Sequence, residues 1–298
     1  MGIPKIAVLA VFSQCIALSA SACDGVIYTG AGEPARFDLL QERAESSQVI
    51  LFGERHGVEG HVKAAACLFS ELSQRRSMRL VMEQLGADQQ PRIDAYRNDH
   101  PETPEGLGAE LKWWESGWPA WSIYQPIMRV AWAARAPVIA GDLASTVTPE
   151  KSAGPDIKSS LRTQFGERFE TLAVDWSGAM KSAHCGLIDD ERATKLGFHQ
   201  LNRDLSMANA LTKTAARGDG AMLFAGRAHV RKDRGVYTKL LGSGQFSNVL
   251  SIAAVTKDEF QKTKDAAGPG TYDFYWVVGE SSEDACAGFK SNSKIEGQ

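Results

Sequence analysis

The stretch that decides the fold is SSQVILFGERHGVEGHV, residues 46–62. Its four apolar residues, 49–52, form a strand-like run, and shortly after it come a carboxylate, a guanidinium and an imidazole in Glu54, Arg55 and His56. A polar triplet at the end of a buried strand is either a surface turn or the edge of a functional site. The sequence of the rest of the chain distinguishes between these two interpretations.

Several further apolar runs have the length and composition of strands. They are RLVME (79–83), PVIAG (137–141), AMLFAG (221–226), NVLSIAAV (248–255) and the aromatic YDFYWVVG (272–279). Between these runs, apolar residues recur at helical spacing over 58–72 and 198–211. Strands that alternate with helices predict an α/β fold, here a single domain with a largely parallel sheet flanked by helices. We expect the polar stretches 145–160 and 262–270 to be loops or insertions.

The composition limits the classes of function. The chain has 298 residues, 43% of them hydrophobic, which is enough for a sizeable core, and its net charge is −3. A nucleic-acid-binding protein would need a basic stripe or patch, so nucleic acid is not an expected partner. The sequence leaves the oligomeric state open, a homodimer included.

Residues 1–22 have the features of an export signal. One early Lys precedes an apolar stretch that is shorter than the roughly 20 residues of a membrane-spanning helix, and the small residues Ala20-Ser21-Ala22 follow it. Cys23 comes next, as in a bacterial lipoprotein signal, but Ala20 stands where such signals carry Leu. Membrane attachment through a lipidated Cys23 and cleavage by the ordinary signal peptidase both stay open. We therefore expect an exported bacterial protein, in the periplasm or anchored to a membrane.

The mature chain is expected to form one domain over 23–286 and a flexible tail over 287–298. If Cys23 carries no lipid, four cysteines remain and provide for two disulfides in an oxidising compartment. They are Cys23, Cys67, Cys185 and Cys286. The chain has no C-x-x-C motif, and this spacing excludes covalent attachment of a c-type haem.

Charged and polar side chains follow at least four of the predicted strands, at the carboxyl ends where ligands bind in parallel α/β sheets. These side chains are Glu54 and His56, Glu83 and Gln84, Asp142, and Arg227 and His229. Any one of them alone would suit a solvated or capping role. Their convergence on one edge of the sheet predicts a shared site. Gly53 and Gly226 end two of these runs, where glycine permits a turn or the close approach of a ligand.

A second feature is aromatic. The run KWWESGWPAWSIYQP, residues 112–126, holds four of the chain's seven tryptophans and also Tyr124. Such a cluster either forms the wall of a slot for a flat apolar ligand or packs a helix, and the sequence alone favours neither.

A third feature is the helical pattern HQLNRDLSMANAL, residues 199–211, in which four residues share one face. They are Gln200, Arg203, Asp204 and Met207. Because this face borders the apolar stripe of the helix, we expect it to point at the rim of the sheet. Upstream, His184-Cys185 offers a pair of ligands, although a lone buried Cys is the commoner explanation.

Six short segments carry a resemblance to a known family. They are FGERHG (52–57), VMEQL with DQQPRIDAY (81–96), YQPIMRVAWAARAPVIAGDL (124–143), AHCG (183–186), HQLNRDLSMA (199–208) and FAGRAHVRKDRGV (224–236). In order and spacing they resemble the ChaN haem-binding uptake proteins of the Tiki superfamily, over about residues 47–240. The resemblance implies an exported or lipid-anchored bacterial protein with an α/β fold. It also implies haem binding linked to iron acquisition.

The first functional hypothesis is therefore a haem-binding protein for haem and iron uptake. Haem iron is held in proteins by His or Tyr, among other ligands. The candidate axial ligands are Tyr96, Tyr124, His61 and His184, and Trp121 is a candidate for the wall of a haem slot.

The alternative is a metal-dependent hydrolase, peptidase- or esterase-like, because the wider superfamily includes such enzymes. They share a Gly-x-x-His signature, a following Glu and a late His, which Gly53, His56, Glu83 and His229 match here. His56, Glu83 and His229 would hold a divalent metal ion, with Glu54 as general base. Arg203 or Arg227 would stabilise negative charge. A version without metal has His56 as a base held by Glu83.

Overall fold

The computed structural model describes residues 23–215, 219–279 and Cys286, so the predicted signal (1–22) and tail (287–298) lie outside the described residues. Within this part of the chain the predicted α/β fold is confirmed. An eight-stranded, mostly parallel sheet is flanked by helices on both faces.

The eight strands of the sheet are β1 (Val26–Thr29), β2 (Pro34–Ala35), β3 (Val49–Glu54), β4 (Met78–Gly86), β5 (Val138–Asp142), β6 (Gly220–Gly226), β7 (Val249–Val255) and β8 (Phe274–Val277). Six of the eight strands, β3 to β8, lie close to the six predicted apolar runs, whereas β1 and β2 were not predicted. Their order across the sheet is β2-β1-β8-β7-β3-β6-β4-β5. β1 pairs antiparallel with both of its neighbours, and the six strands from β8 to β5 run parallel. The carboxyl ends of these six strands therefore meet at one edge.

Eleven helices occupy the described residues. They are α1 (Phe37–Ser46), α2 (Glu59–Ser73), α3 (Gln90–Asp99), α4 (Leu107–Glu110), α5 (Trp121–Ala133), α6 (Pro149–Ser152), α7 (Pro155–Phe165), α8 (Phe169–Ala183), α9 (Asp190–Ala215), α10 (Val236–Gly242) and α11 (Phe260–Ala267). Side chains of α1 to α5 pack on one face of the sheet, and those of α9 to α11 pack on the other. A third apolar cluster joins α7 and α8 to the outer side of α9. Among the described residues, no helix combines the length and the apolar character needed to span a bilayer.

The central strand β3 explains why its sequence reads as one continuous apolar run. Ile50 and Phe52 pack into the core on one face of the sheet, and Val49 and Leu51 pack into the core on the other. Successive side chains of a strand point to opposite faces, so a strand covered on both sides has no polar positions to alternate with. The run therefore marks the middle of the sheet.

Strand β4 is longer than the predicted run 79–83 and continues past Glu83 through Gln84 to Gly86. Its pairing with β5 shifts register between Met82 and Gly86. An irregularity of this kind bends a strand and redirects its side chains. Glu83 and Gln84 therefore lie at the carboxyl end of the sheet and still belong to the strand.

The expectation of loops at 145–160 and 262–270 is wrong for most of both stretches. Helices α6 and α7 occupy much of the first, and α11 extends through residue 267 of the second. Each of α6 and α7 begins with a proline, and Thr148 caps α6 by accepting the Lys151 N–H. Proline suits the first helical turn, where its missing N–H costs nothing. Two helices thus begin at prolines within this polar stretch.

Two disulfides join distant parts of the chain. Cys23, which precedes β1, is bonded to Cys67 in α2, and Cys185 is bonded to Cys286. Cys185 is therefore not the lone buried cysteine that the sequence favoured, and its sulfur is not free to act as a ligand. The pairing matches the count of two disulfides expected if Cys23 carries no lipid.

We predict that Gly53→Ala destabilises the fold. A Cβ on Gly53 would lie 2.9 Å from the Cα of Arg227 and would also meet the side chain of Val230, so backbone would have to move. We expect a loss of about 1–3 kcal/mol in the free energy of unfolding, measured by urea denaturation. Gly178→Ala in α8 is the matched control, because no atom lies within 4 Å of its added Cβ. It should be neutral or stabilise by up to about 1 kcal/mol, and equal effects of the two substitutions would contradict the packing described.

Candidate functional site

Four adjacent strands, β3, β6, β4 and β5, carry polar side chains to the same edge of the sheet. Glu54 is the last residue of β3, and Asp142 is the last residue of β5. Glu83 lies in the irregular end of β4. β6 ends at Gly226, and the short 3-10 turn that follows it carries His229. The structure thus brings together the side chains of four strand ends.

The carboxylate of Glu83 is the centre of this cluster and is fully buried. Its Oε1 lies 2.8 Å from Nη2 of Arg203, 3.3 Å from Nε2 of His229 and 4.0 Å from Nε2 of His56. Its Oε2 accepts the backbone N–H of Gly226 at 2.5 Å. Burial alone would raise the pKa of Glu83, but the three cationic partners outweigh it and hold the pKa well below its usual value. Glu83 is therefore a buried anion.

His229 lies between two buried carboxylates. Its Nδ1 is 2.6 Å from Oδ1 of Asp204, and its Nε2 faces Glu83. The second oxygen of Asp204 accepts the indole N–H of Trp176 at 2.7 Å. Burial lowers the pKa of His229, but the charges of Glu83 and Asp204 outweigh this effect and raise the pKa to about 9. At neutral pH His229 is thus an imidazolium that donates from Nδ1 to Asp204 and forms an ion pair with Glu83 through Nε2.

Arg203 links α9 to the ends of β4 and β5. Its Nε and Nη2 donate to the carboxylate of Asp142 at 2.7–3.0 Å, while Nη2 also reaches Glu83. Its Nη1 donates to Oε1 of Gln200 at 3.1 Å. Burial lowers the pKa of Arg203, but the charges of Glu83 and Asp142 more than offset it. The planar guanidinium binds two carboxylates at once and fixes their separation.

His56 is the member of the cluster that reaches solvent, with 36% of its side chain exposed. Its Nδ1 lies 2.8 Å from Oε1 of Glu54, and its ring packs edge-on against Trp118 with 4.8 Å between ring centroids. Burial lowers the pKa of His56, but the charge of Glu83 and the hydrogen bond to Glu54 reverse the direction and raise it. A carboxylate that orients an imidazole at a partly open surface is an arrangement suited to general acid–base chemistry.

Glu54 is held by residues that are themselves buried. Its Oε1 accepts the Nε2 donor of Gln84 at 2.9 Å, and the hydroxyl of Tyr124 lies 3.5 Å away. Burial is the largest effect on the pKa of Glu54 and raises it. The hydrogen bond from His56 lowers the pKa but does not cancel this rise. Tyr124 is fully buried, and burial beside Glu54 raises the pKa of its phenol. Tyr124 therefore stays a neutral donor in this cluster.

The three candidate metal ligands, His56, Glu83 and His229, do come together, but their donor atoms are already in use. Arg203 and Gly226 hold the oxygens of Glu83, and both nitrogens of His229 face carboxylates. Across the described ranges, no group of three or more His, Cys, Asp or Glu side chains suits a metal ion. The residues present do not fit a divalent metal.

The candidate haem ligands lie in separate places. His61 is fully buried in α2, where its Nδ1 accepts the backbone N–H of Arg55 at 3.0 Å. Burial and the charge of Arg227 lower the pKa of His61 to about 4. His184 is exposed at the end of α8, with its Nδ1 2.8 Å from the carbonyl oxygen of Met180. Tyr124 is the one haem candidate named from the sequence that contacts the Glu54–His56 pair.

Two more aromatic candidates are engaged in local packing. Tyr96 is half-buried on α3, stacks on His100 with 4.2 Å between centroids, and accepts the Gly106 N–H at 2.9 Å. Trp121 is half-buried and packs against Trp113 at 4.9 Å. The aromatic run thus serves mainly to pack α5 and the loop before it.

Arg227, proposed to stabilise negative charge, pairs elsewhere. Its guanidinium donates to the carboxylate of Glu259 at 3.1 and 3.2 Å, and that carboxylate also accepts Arg55 at 2.6 Å. Arg203 is the guanidinium that reaches Glu83. Of the two arginines, the structure places only Arg203 at the cluster.

Asp204 and Trp176 belong to the cluster although the sequence did not single them out as site residues. In the sequence Asp204 is one member of a polar helix face, and Trp176 lies far from the aromatic run. The signal available for Asp204 was its place beside Arg203 on that face. Nothing in the sequence connects Trp176 with Asp204 before α8 and α9 pack together.

The comparisons with known proteins agree with this fold. The sequence profile of a family described as haem-binding uptake, Tiki superfamily, ChaN matches residues 40–240. The chain belongs to this family. A search of curated proteins found no match.

One solved structure with a similar fold is that of ChaN of Campylobacter jejuni, which is described as showing cofacial haem binding. That protein is 16% identical, with a TM-score of 0.64, and the match covers 86% of this chain and 98% of that chain. A mutant of the erythromycin esterase EreC in its open conformation is 14% identical, with a TM-score of 0.42 over 86% of this chain and 83% of that one. At these identities the likeness to ChaN concerns the fold, and the weaker likeness to the esterase carries no functional argument.

We predict that Arg203→Met strongly destabilises the protein, because it leaves Glu83 and Asp142 without their common cation. Removal of one partner from a buried ion pair costs about 3–5 kcal/mol in the free energy of unfolding. The same change at Arg129, whose pair with Glu105 is roughly half exposed at 54% and 47%, is the control. It should cost less than about 1 kcal/mol. Urea denaturation of both variants measures the difference, and a loss at Arg203 no greater than at Arg129 would refute the cluster's role in stability.

Proposed function

We propose that this chain is an exported haem-binding protein that takes part in haem or iron uptake. The observation that carries the proposal is the family match over residues 40–240. The fold shared with a ChaN protein described as binding haem cofacially supports it. Haem is the proposed ligand, and a homodimer stays open.

Export is supported by the signal-like residues 1–22 and by the disulfides. Paired cysteines persist in oxidising compartments such as the periplasm. Because Cys23 is bonded to Cys67, its thiol is not available for lipid in this state. We therefore favour cleavage by the ordinary signal peptidase and a periplasmic location over membrane anchoring.

Accessibility decides which side chains suit haem iron. His61 and Tyr124 have no exposed surface, so a porphyrin would have to displace core packing to reach them. The ring of Tyr96 is partly accessible, and His184 is exposed. We propose that the axial ligand is Tyr96 or His184. Trp114, which is 71% exposed, offers a flat apolar surface for a porphyrin face.

We predict that the mature chain binds haemin saturably and stoichiometrically, with sub-micromolar affinity, when followed at the Soret band against apo-myoglobin as competitor. Loss of the axial ligand should weaken binding by at least about tenfold and shift the Soret band. Tyr96→Phe and His184→Ala test the two ligands. Tyr124→Phe makes the same chemical change at a buried phenol and should leave the spectrum unchanged.

Weak, non-saturating binding by the unaltered chain would reject haem as a specific ligand. Saturable binding that neither Tyr96→Phe nor His184→Ala alters would keep haem but reject both proposed ligands. The two parts of the proposal thus fail separately.

A second candidate function is hydrolysis without a metal. The specific observation that favours it is the 2.8 Å contact between Nδ1 of His56 and Glu54 in a side chain that still reaches solvent. The Nε2 of His56 lies near Gly226, where a Cβ would come within 3.0 Å of it. The orienting carboxylate is therefore Glu54, whereas the sequence suggested Glu83. A base of this kind contributes about 10²–10⁴-fold to a rate.

If this candidate is right, the chain hydrolyses an activated ester such as p-nitrophenyl acetate above the buffer rate. His56→Ala should then remove at least about 10²-fold of that rate. His184→Ala is the control, because it removes an exposed imidazole distant from the Glu54–His56 pair. Equal rates for the two variants would show background catalysis by surface histidines and would eliminate the candidate.

A further inference from the structure

A cavity of about 310 Å³ borders the cluster at the ends of β4 and β5. Two of its lining side chains bond to members of the cluster, Gln84 to Glu54 and Asp142 to Arg203. The described residues that line it include none of the four candidate haem ligands. Its volume is at the lower end of the range for small-molecule sites.

Carboxylates outnumber cations along the wall of this cavity. Nζ of Lys112 lies 3.8 Å from Glu115, and Arg92 acts electrostatically on Asp88. The charges of these two pairs cancel. The third carboxylate of the wall, Asp142, has no cation of its own among the described residues that line the cavity.

Asp142 shares its cation with a second, buried carboxylate. Nη2 of Arg203 lies 2.7 Å from Asp142 and 2.8 Å from Glu83, so one positive charge faces two negative charges. His229 also faces Glu83, but its own charge is balanced by Asp204. The charge left unmatched beside the cavity is therefore negative. Asp142 keeps 19% of its side chain exposed, so its carboxylate can accept a further donor.

Two buried hydrogen-bond acceptors on this side of the cluster have no partner. Gln84 is only 2% exposed, and its Nε2 donates to Oε1 of Glu54 at 2.9 Å, which leaves the amide oxygen unpaired. The second oxygen of Glu54 is buried and unpaired as well. Glu54 pairs with His56, and this pair adds no net positive charge. Buried polar atoms are nearly always paired, so an orphan acceptor beside a cavity marks a position for a donor from a ligand.

A wall with surplus negative charge and a leftover acceptor suits an organic cation that carries N–H groups. A primary ammonium group combines one positive charge with three N–H donors in a compact head. A metal ion is less suited, because no three acidic, His or Cys side chains in the described part of the chain are arranged for one. Leu111, Trp118 and Leu143 line the same cavity and provide an apolar surface for the rest of the ligand.

We propose that this cavity binds a small primary amine in its ammonium form. The ammonium group donates to Oε1 of Gln84 and to the carboxylate of Asp142, and the apolar part of the ligand lies against Trp118. The bound amine lies beside the Glu54–His56 pair. This binding does not depend on haem, so it stands or falls separately from the proposed function.

Three matched compounds test the proposal. Benzylammonium has both the charge and the N–H donors, benzyltrimethylammonium keeps the charge without an N–H, and benzyl alcohol keeps one donor without the charge. Titration of the mature chain, followed by two-dimensional ¹H–¹⁵N NMR, reports on the side-chain amide of Gln84 and the indole N–H of Trp118. We expect benzylammonium to shift both signals saturably and the other two compounds to bind at least about fivefold more weakly.

A pair of variants tests the charge. Asp142→Asn keeps an acceptor and leaves Arg203 paired with Glu83, but it removes the surplus charge, so it should weaken the binding of benzylammonium by at least about fivefold. Asp99→Asn makes the same change at an exposed carboxylate outside the cavity and should leave binding unchanged.

The proposal is overturned if benzylammonium leaves the Gln84 and Trp118 signals unmoved at millimolar concentration. The unpaired oxygens of Gln84 and Glu54 would then share a proton and need no ligand. It is also overturned if benzyltrimethylammonium or benzyl alcohol binds as well as benzylammonium, or if the Asp142 and Asp99 variants behave alike.

Discussion

The structure depends on a buried carboxylate, Glu83, and on the two cations that neutralise it. An ion taken out of water costs several kcal/mol unless its partners compensate in the interior. Arg203 and His229 provide that compensation from α9 and from the turn after β6. Asp142 and Asp204 then balance the two cations in turn. Five titratable groups from four elements are thus held in one arrangement, because removal of any one leaves another without its partner.

This network divides the edge of the sheet into an inner and an outer part. The inner part, with His229 and Asp204, is sealed from solvent, and both ring nitrogens of His229 face carboxylates. The outer part consists of His56 and Glu54, of which His56 alone reaches the surface. The inner part also affects the outer part electrostatically, because the negative charge of Glu83 raises the pKa of His56. The Gly-x-x-His, Glu and His signature is thus divided: its late His lies in the sealed ion-pair network, and its first His faces solvent.

The sequence predicts the parts of this arrangement that follow from periodicity. Apolar runs locate the strands, and parallel pairing then places Glu54, Glu83, Asp142 and His229 at one edge. The sequence does not predict side-chain contacts between distant elements, because these contacts depend on how the helices pack against one another. The contact of Trp176 with Asp204, between α8 and α9, is one such case. The expectation of a loop at 145–160 fails for a local reason, because a polar stretch still forms helices when prolines stand in their first turns.

The most direct test of this account is the titration of His229 and His61 by NMR of their ring nitrogens. Both imidazoles are buried, but His229 lies between two carboxylates and His61 does not. We expect a pKa of about 9 for His229, which is then protonated at neutral pH. We expect a pKa of about 4 for His61, which is then neutral at the same pH. The folded chain would then bind the proton of His229 more tightly than the unfolded chain, whose imidazole has the ordinary pKa of 6.5. The stability from this group is complete below about pH 6.5 and is lost as the pH rises through about 9. A pKa for His229 at or below 6.5 would contradict the ion-pair network.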